Sequence, residues 1–157
     1  MRGSDAWPTV GSELISERPV RESVTVIPED YRDLLDEQTF AHVATMLPNG
    51  MPHVTPTWVD AEDDYEHVRI NTARTRRKER NVRQNPNVGL SIVDPDDPYR
   101  YLSLWGRVVE LREEGARDHI DKLAKEYMGV DTYPNYDTDP GERVILRIEP
   151  EHVSGMG

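Results

Sequence analysis

The sequence predicts a mainly β domain: about six strands and two or three short helices, joined chiefly as hairpins, so that the sheet is largely antiparallel and can close as a small barrel. Three observations carry this reading. Asn49-Gly50 lies between two strand-like runs, and Asn-Gly is among the strongest short hairpin signals. Runs rich in Val, Ile, Thr and aromatics recur between clusters of Asp, Asn and Pro. Only Glu113 to Met128 keeps clear helical spacing along its whole length.

Residues 1–27 alternate Pro, Gly, Ser and charge without a sustained period, and are expected to form an arm that is flexible or wraps a partner subunit. Trp7 is the one residue there that wants a pocket. Residues 28–157 make the folded domain. Pro28-Glu29-Asp30 opens a short helix reaching about Glu37, since proline and acids suit a first turn. Phe40 to Leu47 is a strand, Met51 to Asp60 its return, and Glu62-Asp63-Asp64 the next turn. His67 to Thr72 is a third strand. A charged, helix-compatible stretch over 75–85 ends at Asn85-Pro86-Asn87. Val88 to Val93 and Tyr99 to Leu111 are strands, the second interrupted by Gly106 at a bulge or close backbone approach. Ala116, Ile120, Leu123, Tyr127 and Met128 then mark a helix face, and Gly129 stops it. After a Tyr/Pro/Asn/Asp-rich loop over 131–142, Arg143 to Ile148 is the last strand, ended by Pro150.

Composition narrows the function. A chain of 157 residues is one domain, and its formal charge of −11 argues against coating nucleic acid or an anionic membrane. Without cysteine there is no disulfide, thiolate metal site or cysteine nucleophile. No apolar run is long enough to span a bilayer, and no signal-peptide core opens the chain, so a soluble cytoplasmic protein is expected. Hydrophobic residues make up only 36 %, which suggests a small core helped by a partner subunit. Sixteen of the 19 basic residues are Arg, a texture that suits either a high-salt interior or an Arg-favouring GC-rich genome.

The segment Arg74 to Arg83 holds six bases and one acid, a net +5 that leaves −16 to the rest of the chain. It starts a helix directly after a strand, where free N–H groups add to the attraction for phosphate. It reads either as an anion site for a phosphorylated small molecule or as a solvated face pairing with acidic loops. His53-Val54-Thr55-Pro56-Thr57-Trp58 is the second feature, because Pro56 cannot donate to a ladder and so exposes backbone groups that can hold a flat heteroaromatic ring. An ordinary edge strand would read the same. The five histidines are scattered without metal-motif spacing, so no metal is expected. Dinucleotide, phosphate-loop and nucleophile-elbow motifs are missing.

Taken in order, Ala44-Thr45, Pro48-Asn49-Gly50, Pro52 to Trp58, Asn71-Thr72, Arg77-Lys78, Asn81-Val82, Asn85-Pro86 and Trp105 to Val108 resemble the pyridoxamine 5′-phosphate oxidase-like flavoproteins, and within them the F420-dependent oxidoreductase branch. The resemblance implies a six-stranded antiparallel split β-barrel of the FMN-binding split-barrel type. It also implies a homodimer with cofactor in clefts at the subunit interface, and a small-molecule substrate. Thr55, Pro56 and Thr57 would lie along the cofactor ring. Asn71 and Thr72 would hold the ribityl and phosphate region, Arg77 and Lys78 the phosphate. Trp105 and Gly106 would line the cleft. F420 carries more negative charge than FMN, so Arg74, Arg76, Arg80 and Arg83 could serve its oligoglutamate tail. The Arg-x-His substrate segment of the pyridoxamine phosphate oxidases proper is missing, with His152 in Glu-His-Val instead, so that reaction is not expected.

The expected activity is hydride transfer to a small organic acceptor, with the cofactor supplying the chemistry and the protein orientation and electrostatics. No residue is nominated as a covalent catalyst. Tyr127, Tyr133 and Tyr136 are the candidate proton donors. The rivals are an FMN-dependent oxidoreductase of the same fold, a non-catalytic flavin or haem binder, and a nucleic-acid-binding regulator using residues 74–83.

Overall fold

The computed structural model describes residues 12–14, 24–138 and 141–157. Trp7 lies outside them. The elements run β1 (Ser12–Leu14), a 3-10 turn (Glu29–Tyr31), α1 (Asp33–Asp36), β2 (Phe40–Met46), β3 (Pro52–Trp58), β4 (Asp60–Ala61), β5 (Val68–Ala73), α2 (Arg77–Gln84), β6 (Asn87–Val93), β7 (Tyr101–Arg112), α3 (Ala116–Met128) and β8 (Arg143–Met156). All strand pairs are antiparallel, in the order β3-β2-β6-β7-β8-β5-β4, with β1 added to β7. The mainly β class and the curled antiparallel half-barrel agree with the expected split barrel.

The β2–β3 hairpin forms where Asn-Gly predicts it. Gly50 takes φ 85°, which a side chain rarely adopts, and the Asn49 carboxamide oxygen accepts from the Met51 N–H at 3.0 Å. β3 is an edge strand, so Pro56 sits where a missing N–H is tolerated. In α3, Gly129 at φ 72° closes the last turn, its N–H donating to the Lys125 carbonyl.

The sheet curls because β7 changes register twice, at Trp105/Gly106 and at Val108/Glu110. Gly106 is required there: a Cβ would stand 2.1 Å from the Glu149 carbonyl oxygen. The first half of β8 pairs with both β5 and β7, while its second half continues along β7 only. The core between the curled sheet and its helices includes Ile70, Leu90, Leu104, Leu146 and Ile148, all buried.

Two expectations need correction. Among the described residues the sheet has eight strands, not six, because Ser12–Leu14 adds one and the return strand breaks between Trp58 and Asp60. Pro150 does not end the last strand, which runs on to Met156. Pro150 faces Gly106 at the bulge, where the ladder is already interrupted and its missing N–H costs little. Ile27 is fully buried in the core, its N–H donating to the Tyr65 carbonyl at 2.9 Å, and Ser12–Leu14 pairs with this chain's own β7.

Candidate functional site

Among the described residues, three basic side chains line a cleft of about 190 Å³ on a chain whose net charge is −11. Its walls come from β3 (Pro56, Thr57, Trp58), the adjacent ends of β5 and β8 (Asn71, Thr72, Arg143) and the start of α2 (Arg76, Lys78). Phe40, Ile120 from α3, and Tyr133 and Asn135 from the following loop complete it.

Each wall has a local cause. Arg76 stands at the N-cap of α2 in an extended conformation and makes no side-chain cap bond of its own, and the positive end of the helix dipole lies beside the cleft. Lys78 is only 7 % exposed and lines the cleft. On the opposite wall, Trp58 stacks on Tyr127 at 5.1 Å and 20°, with Tyr133 edge-on at 6.1 Å. The loop carrying Tyr133 is held by Asp121, whose carboxylate accepts from the Tyr133 N–H at 2.8 Å and the Tyr136 hydroxyl at 2.9 Å. The Arg143 guanidinium lies 5.1 Å from the Tyr133 ring centre.

Asn71 is held from behind. Its Nδ2 donates to the Ala116 carbonyl at 2.8 Å and its Oδ1 accepts from Arg143 Nε at 3.0 Å. Its Nδ2 also lies 3.1 Å from His119 Nδ1, and His119 Nε2 lies 3.1 Å from both oxygens of Asp60. Burial pushes the Asp60 carboxyl up, but hydrogen bonds from His119 and Arg69 outweigh it and hold the group well below the ordinary carboxylate range.

Of the residues singled out by sequence, the structure brings Pro56, Thr57, Asn71, Thr72 and Lys78 to one cleft. Thr55, Arg77, Trp105 and Gly106 do not line it. Thr55 follows the same alternation of β3 as Thr57, with its hydroxyl buried. Arg77 is half-buried at the first position of α2. Trp105 lies on β7, 56 % exposed and stacked on its cross-strand partner His152 at 4.1 Å. Gly106 serves the bulge.

The basic run is divided. Arg76 lines the cleft, but Arg74 and Arg83 turn to the fully buried Glu79, at 3.1 and 2.8 Å, and Arg74 also meets Glu113 at 2.8 Å. Two of the four arginines reserved for a tail are therefore spent on holding α2 down. Among the three tyrosines, Tyr127 bonds the backbone of Val59 and Tyr136 bonds Asp121, and only Tyr133 lines the cleft. Burial raises the Tyr127 phenol, and burial with the Asp121 bond raises that of Tyr136.

Sequence reasoning missed Arg143 as a cleft residue. It pairs in register with Ala73, which puts it beside the basic run, but that neighbour is 70 residues away along the chain. One further group, Glu62, Asp64 and His67, brings metal-type donor atoms within 4.8 Å, but the Glu62 carboxylate is taken by Arg147 at 2.7 and 2.8 Å.

A family model described as pyridoxamine 5′-phosphate oxidase matches residues 27–157. The chain belongs to the pyridoxamine 5′-phosphate oxidase-like family. Within that split-barrel family it is similar to an F420 reductase of solved structure, at 35 % identity, covering 82 % of this chain and 98 % of the other, with a TM-score of 0.71. A conserved hypothetical protein of Mycobacterium tuberculosis shares the fold at 21 % identity over 88 % of this chain and 89 % of its own, TM-score 0.64. HupZ of Group A Streptococcus does so at 22 % over 83 % and 94 %, TM-score 0.61. The comparison with curated proteins finds no match. Among the described residues no helix is long and apolar enough to cross a membrane.

Proposed function

We propose that this family member is an F420-dependent oxidoreductase that passes hydride to a small organic acceptor, with the cofactor held at the interface of a homodimer. The observation that carries the reading is the cleft lining: Arg76, Lys78 and Arg143 gathered in one cleft with the aromatic rings of Trp58 and Tyr133. Three clustered cations attract an anion, and the start of α2 beside them adds its helix dipole to that attraction. A planar ring fits against Trp58 and the Pro56–Thr57 edge. The likeness to an F420 reductase supports the deazaflavin. When bound, F420 supplies hydride chemistry; the chain's own residues bind its phosphate, orient its ring and exclude water.

The dimer rests on size and on Trp105. About 190 Å³ is below the roughly 300–1,000 Å³ of ordinary ligand sites, so one chain offers part of a site. The half-exposed Trp105–His152 stack is the kind of surface a second copy covers.

The test is a titration of cofactor-free protein with F420 and, separately, FMN. Arg76→Ala/Lys78→Ala and Arg77→Ala/Lys78→Ala serve as controls. Tight F420 binding lost in the double variants supports the proposal. The second reading, FMN, is favoured by the diversion of Arg74 and Arg83 to Glu79, which leaves fewer cations for a polyanionic tail. Preferential FMN binding would establish it. Turnover of no acceptor despite binding would point to a carrier, and binding of neither would overturn both.

A further inference from the structure

Behind the cleft, α3 and β4 bury His119 and Asp60, 5 % and 4 % exposed, neither of which lines the cleft. The hydrogen bonds around them have only one consistent direction. Arg143 can only donate, so the oxygen of the Asn71 amide faces it. The Asn71 NH₂ then faces the Ala116 carbonyl and His119 Nδ1, so Nδ1 must carry a lone pair. His119 Nε2 therefore carries the proton and donates to Asp60. In this arrangement the imidazole is neutral.

We infer that His119 is a positioning residue whose neutral form, fixed between Asp60 and Asn71, holds Asn71 and through it Arg143 in place for the anionic ligand. The inference rests on the proposed anionic cofactor. Protonated His119 would direct an N–H at the Asn71 NH₂ across 3.1 Å, donor against donor. Turning the Asn71 amide over does not relieve this. It would set the NH₂ against Arg143 Nε and the oxygen against the Ala116 carbonyl. No orientation of Asn71 satisfies Arg143, Ala116 and an imidazolium together, so the neutral imidazole is the form that fits this arrangement of Asn71 and Arg143, both of which line the cleft.

The surrounding charges permit the neutral form. Asp60 already has Arg69 from β5 at 2.7 Å and Lys122 from α3 at 3.2 Å, so it does not need an imidazolium to balance it. Arg143 from β8 stands beyond Asn71, and the Tyr127 phenol farther along α3 feels the Asp60 charge. Asp60 thus acts through His119, and His119 through Asn71, without contact to the ligand.

The test compares F420 affinity near pH 8 in the intact protein, in His119→Gln and in His119→Ala. A glutamine amide can accept from Asn71 and donate to Asp60, whereas alanine can do neither. The wild type and His119→Gln are expected to bind similarly, and His119→Ala about tenfold or more weakly. Nitrogen-15 NMR of the wild-type imidazole without cofactor is expected to show a protonated Nε2 and a bare Nδ1 near pH 8. An Nδ1–H tautomer, or wild-type affinity in His119→Ala, would overturn the inference. Absence of F420 binding near pH 8 overturns the proposed function instead, and the tautomer still decides the role of His119. Should His119→Gln fail to fold, the wild-type NMR decides alone.

Discussion

Lys78 and Arg76 stand at the start of α2, and both residues line the cleft. Removing both as alanines is expected to weaken F420 binding by tenfold or more, about 1.4 kcal/mol or above, while thermal stability changes little. An unchanged dissociation constant in the titration would refute their role. Tyr133 makes a different case. It alone of the three candidate donors reaches the cleft, so Tyr133→Phe is expected to leave F420 affinity intact and to lower kcat for an acceptor that needs a proton, by about 100-fold if this hydroxyl donates it. Steady-state kinetics checks the split. Asp60 gives a stability prediction. Its folded pKa is depressed, so its contribution is full above the unfolded carboxylate value of about 3.9 and drains away as pH falls below it. Urea unfolding at a series of pH values should show a steeper acid loss for the wild type than for Asp60→Asn over that window.

α2 is a short helix with almost no apolar face, and buried charge holds it in place. Glu79 is fully buried and takes Arg74 and Arg83, while Asn81 donates to Thr45 at 3.0 Å and Val82 enters the core. Glu79→Ala leaves two guanidiniums without their shared partner. It is expected to cost about 3–5 kcal/mol in chemical denaturation, with the loss of helix order carrying F420 binding away with it. The strand pair β7–β8 depends on closeness instead of charge. At Gly106 a methyl group would meet the Glu149 carbonyl at 2.1 Å, so Gly106→Ala must open the bulge that curls the sheet. A loss of about 2–3 kcal/mol is expected in the same assay, against a negligible change if the backbone approach were loose.

For the molecule as a whole, the small cleft and the exposed Trp105–His152 stack lead to one expectation. Light scattering should give twice the 18.1 kDa of the chain. Trp105→Asp should yield monomer and, if the partner completes the cleft, lose cofactor affinity together with assembly. A monomeric wild type that binds F420 tightly would separate the two ideas. The net charge of −11 adds a condition: the cleft is a local positive region in a negative field, so F420 binding should weaken as salt screens the nearby cations.

The sequence by itself determined the strand count to within two, the antiparallel class, the Asn49-Gly50 turn, the bulge at Gly106 and the family. These depend on short-range rules: alternation, turn chemistry, and glycine where backbones touch. It also marked Pro56, Thr57, Asn71, Thr72 and Lys78, because a strand edge and a helix start carry local signals. Only the tertiary structure decided which bases face the cleft. Arg74, Arg76 and Arg83 look alike along the chain, and a buried Glu79 claims two of them while Arg76 stays with the cleft. The same holds for Arg143 and for the Asp60–His119–Asn71 relay, whose members lie on β4, α3 and β5. A hydrogen-bond network has no period in sequence. It exists only once sheet pairing and helix packing bring distant side chains within about 3 Å of one another.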